Sequence, residues 1–66
     1  FPDSVAHLTP TFVALLDAEN ALVRENACWA LGHLGAEEAR SALAARATED
    51  DDPDVRERAS WALDQI

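Results

Sequence analysis

The chain has no lysine, a single cysteine and only two glycines in 66 residues. The lone Cys28 rules out an internal disulfide, and with it the stapled scaffolds on which many small secreted domains depend. No apolar stretch approaches the roughly 20 residues of a membrane span, and no signal-peptide pattern is present. The sequence opens on Phe1 rather than Met, as a processed chain or a segment of a longer protein does. A cytoplasmic module with no membrane partner is the expectation. At this length a chain buries only roughly 60% of its unfolded surface, so stability as an isolated unit is marginal.

The missing lysine shapes the charge. All five basic residues are arginine, thirteen acids stand against them, and the net charge is −8. So acidic a body repels nucleic-acid phosphate and anionic membrane, which removes both as expected partners. The plain reading is an acidic surface kept for solubility. A lysine-poor composition rich in Asp, Glu and Ala also resembles haloarchaeal proteins. In molar salt the Debye length shrinks to about 3 Å, so crowded carboxylates cost little there.

What the chain does contain is a copy of itself. Val55, Arg56, Glu57, Ala59, Trp61, Ala62 and Leu63 repeat Val23, Arg24, Glu25, Ala27, Trp29, Ala30 and Leu31 at a fixed offset of 32 positions. Self-similarity at a period of roughly 20–50 residues is the signature of a stacked repeat array. Each copy reads as an amphipathic helix. At about 100° per residue, Val23, Ala27, Ala30, Leu31 and Leu34 fall on one side, as do Val55, Ala59, Ala62, Leu63 and Ile66. The other side carries Glu25, Trp29 and His33 in the first copy and Glu57, Trp61 and Gln65 in the second. Both sets follow i, i+4, i+8 spacing and form ridges. Small alanines on the inner side let a second helix approach closely.

Asp54-Val55-Arg56, with Ala59 and Ala62-Leu63, resembles the second helix of a HEAT repeat, of the short kind first noted in phycobilisome lyases. Val23-Arg24, Ala27 and the run Ala30-Leu31-Gly32-His33-Leu34-Gly35 match that pattern more fully. The run Asp51-Asp52-Pro53-Asp54 resembles the turn that precedes such a helix. The resemblance implies an all-α fold, an α-solenoid of two helical hairpins. Repeat one spans about residues 3–35 and repeat two about 36–66, as part of a longer array. It also implies a scaffold role, although these repeats serve many tasks and the fold alone names none.

Local signals fill in the hairpins. Pro2 and Asp3 suit a helix start, and residues 2–8 are open to a short leading helix of the armadillo kind. Thr9 is placed as an N-cap with Pro10 at the first helical position. The helix that follows carries Phe12, Val13, Leu15 and Leu16 and runs to about Ala18. Gly35 ends the Val23 helix as a C-terminal glycine does. Repeat two opens on Glu37 and Glu38 at the positive end of a helix dipole. Aligning Leu43 with Phe12 gives an offset of 31, which places one inserted residue in the turn between Thr48 and Asp54.

Candidate chemistry is sparse. The acids at 49–52 and 54 have the ligand type that calcium takes, but lack the spacing and the turn glycine of a calcium loop. They read as a solvated, capping turn, and no metal or cofactor is expected. His7 and His33 have too few partners for metal or acid–base work. The resembling family includes a di-iron hydroxylase with His-Glu pairs on these second helices. Glu25-Asn26 and Glu57-Arg58 stand there instead, so no catalytic residue is assigned. A lyase-like or enzyme-associated role, holding a pigment, is the alternative function. Cys28, on the flank of its helix and matched by Ser60, reads as a small packing residue. Arg24 and Arg56, beside the apolar face, are placed to reach acids in adjoining turns as a ladder from repeat to repeat, and the resemblance implies the same.

Trp29 and Trp61 are the strongest candidates for function. In the resembling family this helix lines the concave side, and two rings at the same place in neighbouring repeats are expected roughly 10 Å apart, the usual helix–helix spacing. Exposed tryptophan is costly and is enriched in interface hot spots. The competing reading folds each ring over the alanines of the adjoining repeat. The expected role is non-catalytic protein–protein interaction through Glu25, Trp29, His33, Glu57, Trp61 and Gln65. Two units are short of the three that arrays usually need, so self-association or neighbouring repeats are expected too. The charge makes a direct test possible. If the composition is a salt adaptation, helix content by circular dichroism rises steeply from millimolar to molar KCl, and keeps rising above about 1 M, where screening has saturated. Full helicity in dilute buffer would leave solubility as the reason for the acids.

Overall fold

A computed structural model of the chain describes residues 7–66. These form four α-helices and no strand: α1 (Thr9–Leu15), α2 (Ala21–Leu34), α3 (Arg40–Glu49) and α4 (Pro53–Gln65), with a 3-10 turn over Glu37–Ala39 leading into α3. The fold is all-α. Helices α1 and α2 pack as one hairpin and α3 and α4 as the next, while α2 and α4 share the most extensive interface.

The two second helices start in the same way, 32 residues apart. Asn20, in extended conformation, accepts hydrogen bonds at Oδ1 from the backbone N–H groups of Leu22 (2.8 Å) and Val23 (3.4 Å). Asp52 does the same for Asp54 (2.8 Å) and Val55 (3.2 Å), with Pro53 in the first turn. Each cap satisfies amide groups that the first helical turn leaves without partners. At its other end α2 stops at Gly35, whose φ of 62° is left-handed. The N–H of Gly35 bonds to the carbonyl of Gly32 and that of Ala36 to Leu31, the double closure that a glycine in this conformation permits.

Helix α1 departs from expectation. Thr9 is its first residue rather than its cap, and it is buried. Leu8 precedes it with helical dihedrals and no capping side chain. The helix ends at Leu15, short of Ala18. Of the leading segment, His7 and Leu8 form a turn, and the rest lies outside the described residues. Hydrogen bonds narrow the position of the extra residue of repeat two. Arg24 donates to the carbonyl of Ala18 and Arg56 to that of Asp50, so the 32-residue register already holds at Asp50. The insertion demanded by pairing Phe12 with Leu43 therefore precedes Asp50.

The core is built from Leu16, Ala27, Cys28, Leu31, Ala36, Ala39, Leu43, Val55, Ala59 and Ala62. Full burial of a leucine such as Leu31 or Leu43 contributes about 1.5–3 kcal/mol, and the alanines set the close approach of the helices. Residues that match in sequence do not match in burial. Cys28 is fully enclosed and its counterpart Ser60 is exposed, while Val55 is fully enclosed and Val23 is exposed. The reason is stacking. Gly32, one turn on from Cys28, meets Ala62, two turns on from Val55, so α2 and α4 face each other along the flanks that carry these two residues. The opposite flanks have no such neighbour among the described residues. Cys28 is thus a packing residue, as its match with Ser60 suggested, enclosed on a flank that meets another helix, and Val23 belongs less to the core than its spacing suggested.

The caps give a test of this account. Asn20→Ala and Asp52→Ala are each expected to lower unfolding free energy by ~1 kcal/mol, measured as a shift of the urea midpoint with an unchanged slope.

Candidate functional site

Helices α2 and α4 lie side by side, so their outward ridges form one surface. On α2 the rings of Trp29 and His33, one turn apart, stand 4.2 Å apart at their centroids. His33 in turn lies 5.2 Å from Trp61 of α4. The two tryptophans are therefore joined through an imidazole rather than facing each other across a gap.

The rings are not equivalent. Trp29 is 45% exposed. Trp61 is half-buried and packs against the core, resting over Gly32 of the first repeat. A Cβ built on Gly32 would stand 2.6 Å from the Trp61 ring and 3.0 Å from the Cα of Ala62. Only glycine admits both, which explains a helical glycine where alanine would otherwise stabilise the helix. The competing readings of the tryptophans thus divide between the residues. Trp61 folds down, over a glycine of the preceding repeat rather than the alanines of the next, and Trp29 stays open.

Beside Trp61 a pocket of about 300 Å³ opens between the helices, lined by Glu25, Asp54, Glu57, Arg58 and Trp61. The Arg58 guanidinium lies 5.5 Å from the centroid of the Trp61 ring, and its Nη2 is 3.7 Å from Oε2 of Glu25. Glu57 joins this wall, while the exposed Gln65 donates from Nε2 to the Trp61 carbonyl at 3.4 Å. Three residues of the surface escaped sequence reasoning. Leu22, 62% exposed, precedes Trp29 by seven residues and His33 by eleven, spacings that put all three on one face. Asp54 stands at the same place one repeat later, and Arg58 lies three residues before Trp61. Their positions were legible; the contact of Arg58 with Glu25 required knowing which flank α4 presents to α2.

Away from the ridge, Arg24 makes a dense set of contacts. Its Nε and Nη2 donate to the two carboxylate oxygens of Asp50 at 2.9 and 3.1 Å. Nη1 donates to the carbonyls of Ala18 and Glu19, both at 2.8 Å, and Nη2 also reaches Asp51 at 3.1 Å. All five guanidinium N–H groups have acceptors. Asp50, buried, also takes the backbone N–H of Asp52 at 3.0 Å and Nη1 of Arg46 at 3.5 Å. Arg56 Nη1 donates to its carbonyl at 2.6 Å. Burial alone would raise the Asp50 carboxyl, but the hydrogen bonds from Arg24 and Asp52 and the charges of Arg24 and Arg46 hold it below the usual carboxylate range. The hydrogen bond to Asp50 in turn raises the Arg24 guanidinium.

The remaining candidates offer little chemistry. Burial, followed by the Asp50 charge, pushes the Cys28 thiol up to about 11, so it is neither exposed nor ionised enough to act as a nucleophile. Asp50 and Asp52 of the acidic run are engaged by arginines and by the α4 cap. Among the described residues no group of three His, Cys, Asp or Glu is arranged to hold a metal ion, and no helix is long and apolar enough to cross a membrane.

Two stacked helical hairpins, with their second helices adjacent and a 32-residue register kept through caps and turns, define an α-helical repeat protein. The family model for HEAT repeats matches residues 3–64, and the chain belongs to that family. No curated protein and no solved structure matches it.

The Asp50 network has a pH signature. A carboxyl whose folded value is depressed stabilises the fold fully above its unfolded value of about 3.9, and that contribution disappears as the pH falls through the folded value. Acid unfolding followed by circular dichroism should therefore have a component near and below pH 4 that Asp50→Asn removes, with lower stability of this variant at neutral pH.

Proposed function

We propose that this chain is a non-catalytic binding module, engaging a partner protein on the concave surface formed by α2 and α4. HEAT repeats are generally protein-interaction and scaffold modules, which supports the class. The observation that carries the surface is the open ridge on α2, where Leu22 and Trp29 are 62% and 45% exposed beside His33. Large apolar side chains grouped on one helix face mark interaction sites more often than scattered ones do. Glu25, Glu57, Trp61 and Gln65 extend the surface onto and beside α4. Trp61 anchors the second repeat to Gly32 and stays half-buried, while Trp29 offers its free area to the partner. Arg24 and Arg56 turn instead into the loops before their helices, where Arg24 holds Asp50 and the carbonyls of Ala18 and Glu19 and Arg56 holds the carbonyl of Asp50, and they take no part in binding. The pigment-holding alternative gains no support from Cys28, which is buried and unreactive.

Trp29→Ala is expected to weaken partner binding by ~2 kcal/mol, roughly thirtyfold in Kd. The same change should alter unfolding free energy by less than about 0.5 kcal/mol, as exposed positions do. Unfolding of the variant, or an unchanged Kd by calorimetry, would overturn the assignment.

A further inference from the structure

The pocket beside Trp61 combines carboxylates with an aromatic ring. Its walls bring Glu25 from α2 and Asp54 and Glu57 from α4 around one aromatic ring. Arg58 is the single cation there, and it sits against the ring and Glu25 at once. Its hold is loose. The contact with Glu25, at 3.7 Å, is too long for a hydrogen bond, and the Arg58 side chain is 36% exposed. Exposed pairs of this kind contribute little. The side chains of Asp54 and Glu57 make no hydrogen bond or ion pair with the described residues, and both are exposed. Asp54 also complements the N-terminal dipole of α4, but Glu57, past the first turn, has no such role.

A guanidinium or ammonium ion over an indole, with carboxylates at its edge, is a favourable arrangement. Arg58 shows that this ring and this wall accept such a group. The volume of about 300 Å³ is at the small end for ligand sites, a size suited to one long side chain. The aromatic row continues from Trp61 through His33 to Trp29, giving apolar footing for neighbouring residues of an extended segment. The net charge of −8 draws a basic partner and repels an acidic one.

We propose that the groove between α2 and α4 receives an arginine- or lysine-bearing segment of the partner, whose cation displaces Arg58 and occupies the pocket over Trp61 between Glu25, Asp54 and Glu57. This rests on the ridge being the binding surface and adds the partner's chemistry. Arg58 acts as an internal stand-in, closing the pocket until a second cation competes for it.

The test uses short acetylated peptides of Gly and Ser carrying either two arginines, two citrullines or two glutamates, titrated into the protein and followed by tryptophan emission and calorimetry. The arginine peptide is expected to bind, and the citrulline and glutamate peptides to bind at least about tenfold more weakly. Arg58→Ala empties the stand-in and should tighten the arginine peptide about two- to fivefold. Arg40→Ala, the same charge change on α3 outside the pocket, controls for net charge and should give a smaller effect. Asp54→Asn combined with Glu57→Gln should weaken binding roughly tenfold, with unchanged helix content by circular dichroism. Equal affinity for the arginine and citrulline peptides, or equal effects of Arg58→Ala and Arg40→Ala, would overturn the proposal. Partner binding lost in Trp29→Ala but untouched in the Asp54→Asn, Glu57→Gln double variant overturns this inference alone. Partner binding untouched by Trp29→Ala overturns the ridge on which it rests.

Discussion

The interaction on which the arrangement most depends is the fork of Arg24 on Asp50. One guanidinium, rooted in the second helix of the first hairpin, closes the turn before its own helix through the carbonyls of Ala18 and Glu19. The same group takes both carboxylate oxygens of a residue 26 positions later. Asp50 meanwhile shapes its own turn by accepting from Asp52, the residue that caps α4. Arg24, the inter-repeat contact and the start of α4 are therefore mechanically one unit. A buried carboxylate is tolerable only when its lone pairs are filled, and here arginines and a backbone amide fill them. Removing either member costs the other its two-pronged partner, leaving Asp50 with the weaker contact to Arg46 and the Asp52 amide and leaving Arg24 with the turn carbonyls and Asp51, and the cost falls on both hairpins.

At the outward face the constraint is steric rather than electrostatic. Gly32 leaves the space into which the Trp61 ring and the Cα of Ala62 fit, and that close approach carries α4 across α2. The same approach brings Arg58 to Glu25 and His33 between the tryptophans. The pocket beside Trp61 is thus a by-product of how the hairpins stack, with its floor set by a missing side chain.

How much of this was legible in the sequence depended on whether a feature repeats. The register, the all-α hairpins, the end of α2 at Gly35 and the two ridges follow from residues that recur or from a glycine whose role is local. Features that depend on a neighbour were hidden. Cys28 and Ser60 occupy one place in the repeat, yet only Cys28 is buried. The tryptophans recur, yet only Trp61 has a glycine to lie on. The caps at Asn20 and Asp52 were readable in principle, being 32 residues apart and of the right chemistry, but the acids around Asp52 masked it. Thr9 was misplaced because its composition fits an N-cap well, while burial drew it into the helix. Of the ridge residues found by spacing, Trp29, His33, Glu57 and Gln65 are exposed, while Glu25 and Trp61 are half-buried; Leu22, Asp54 and Arg58 were missed because they break the internal symmetry of the repeat.

The unequal burial of Val23 and Val55 carries a consequence for how the chain tolerates change. Two positions with the same residue on the same helix face answer to different packing. One is held by packing on every side, and the other is free to drift toward whatever meets that flank. Internal duplication therefore does not copy constraint along with sequence. A substitution harmless in one hairpin gives no licence for its twin.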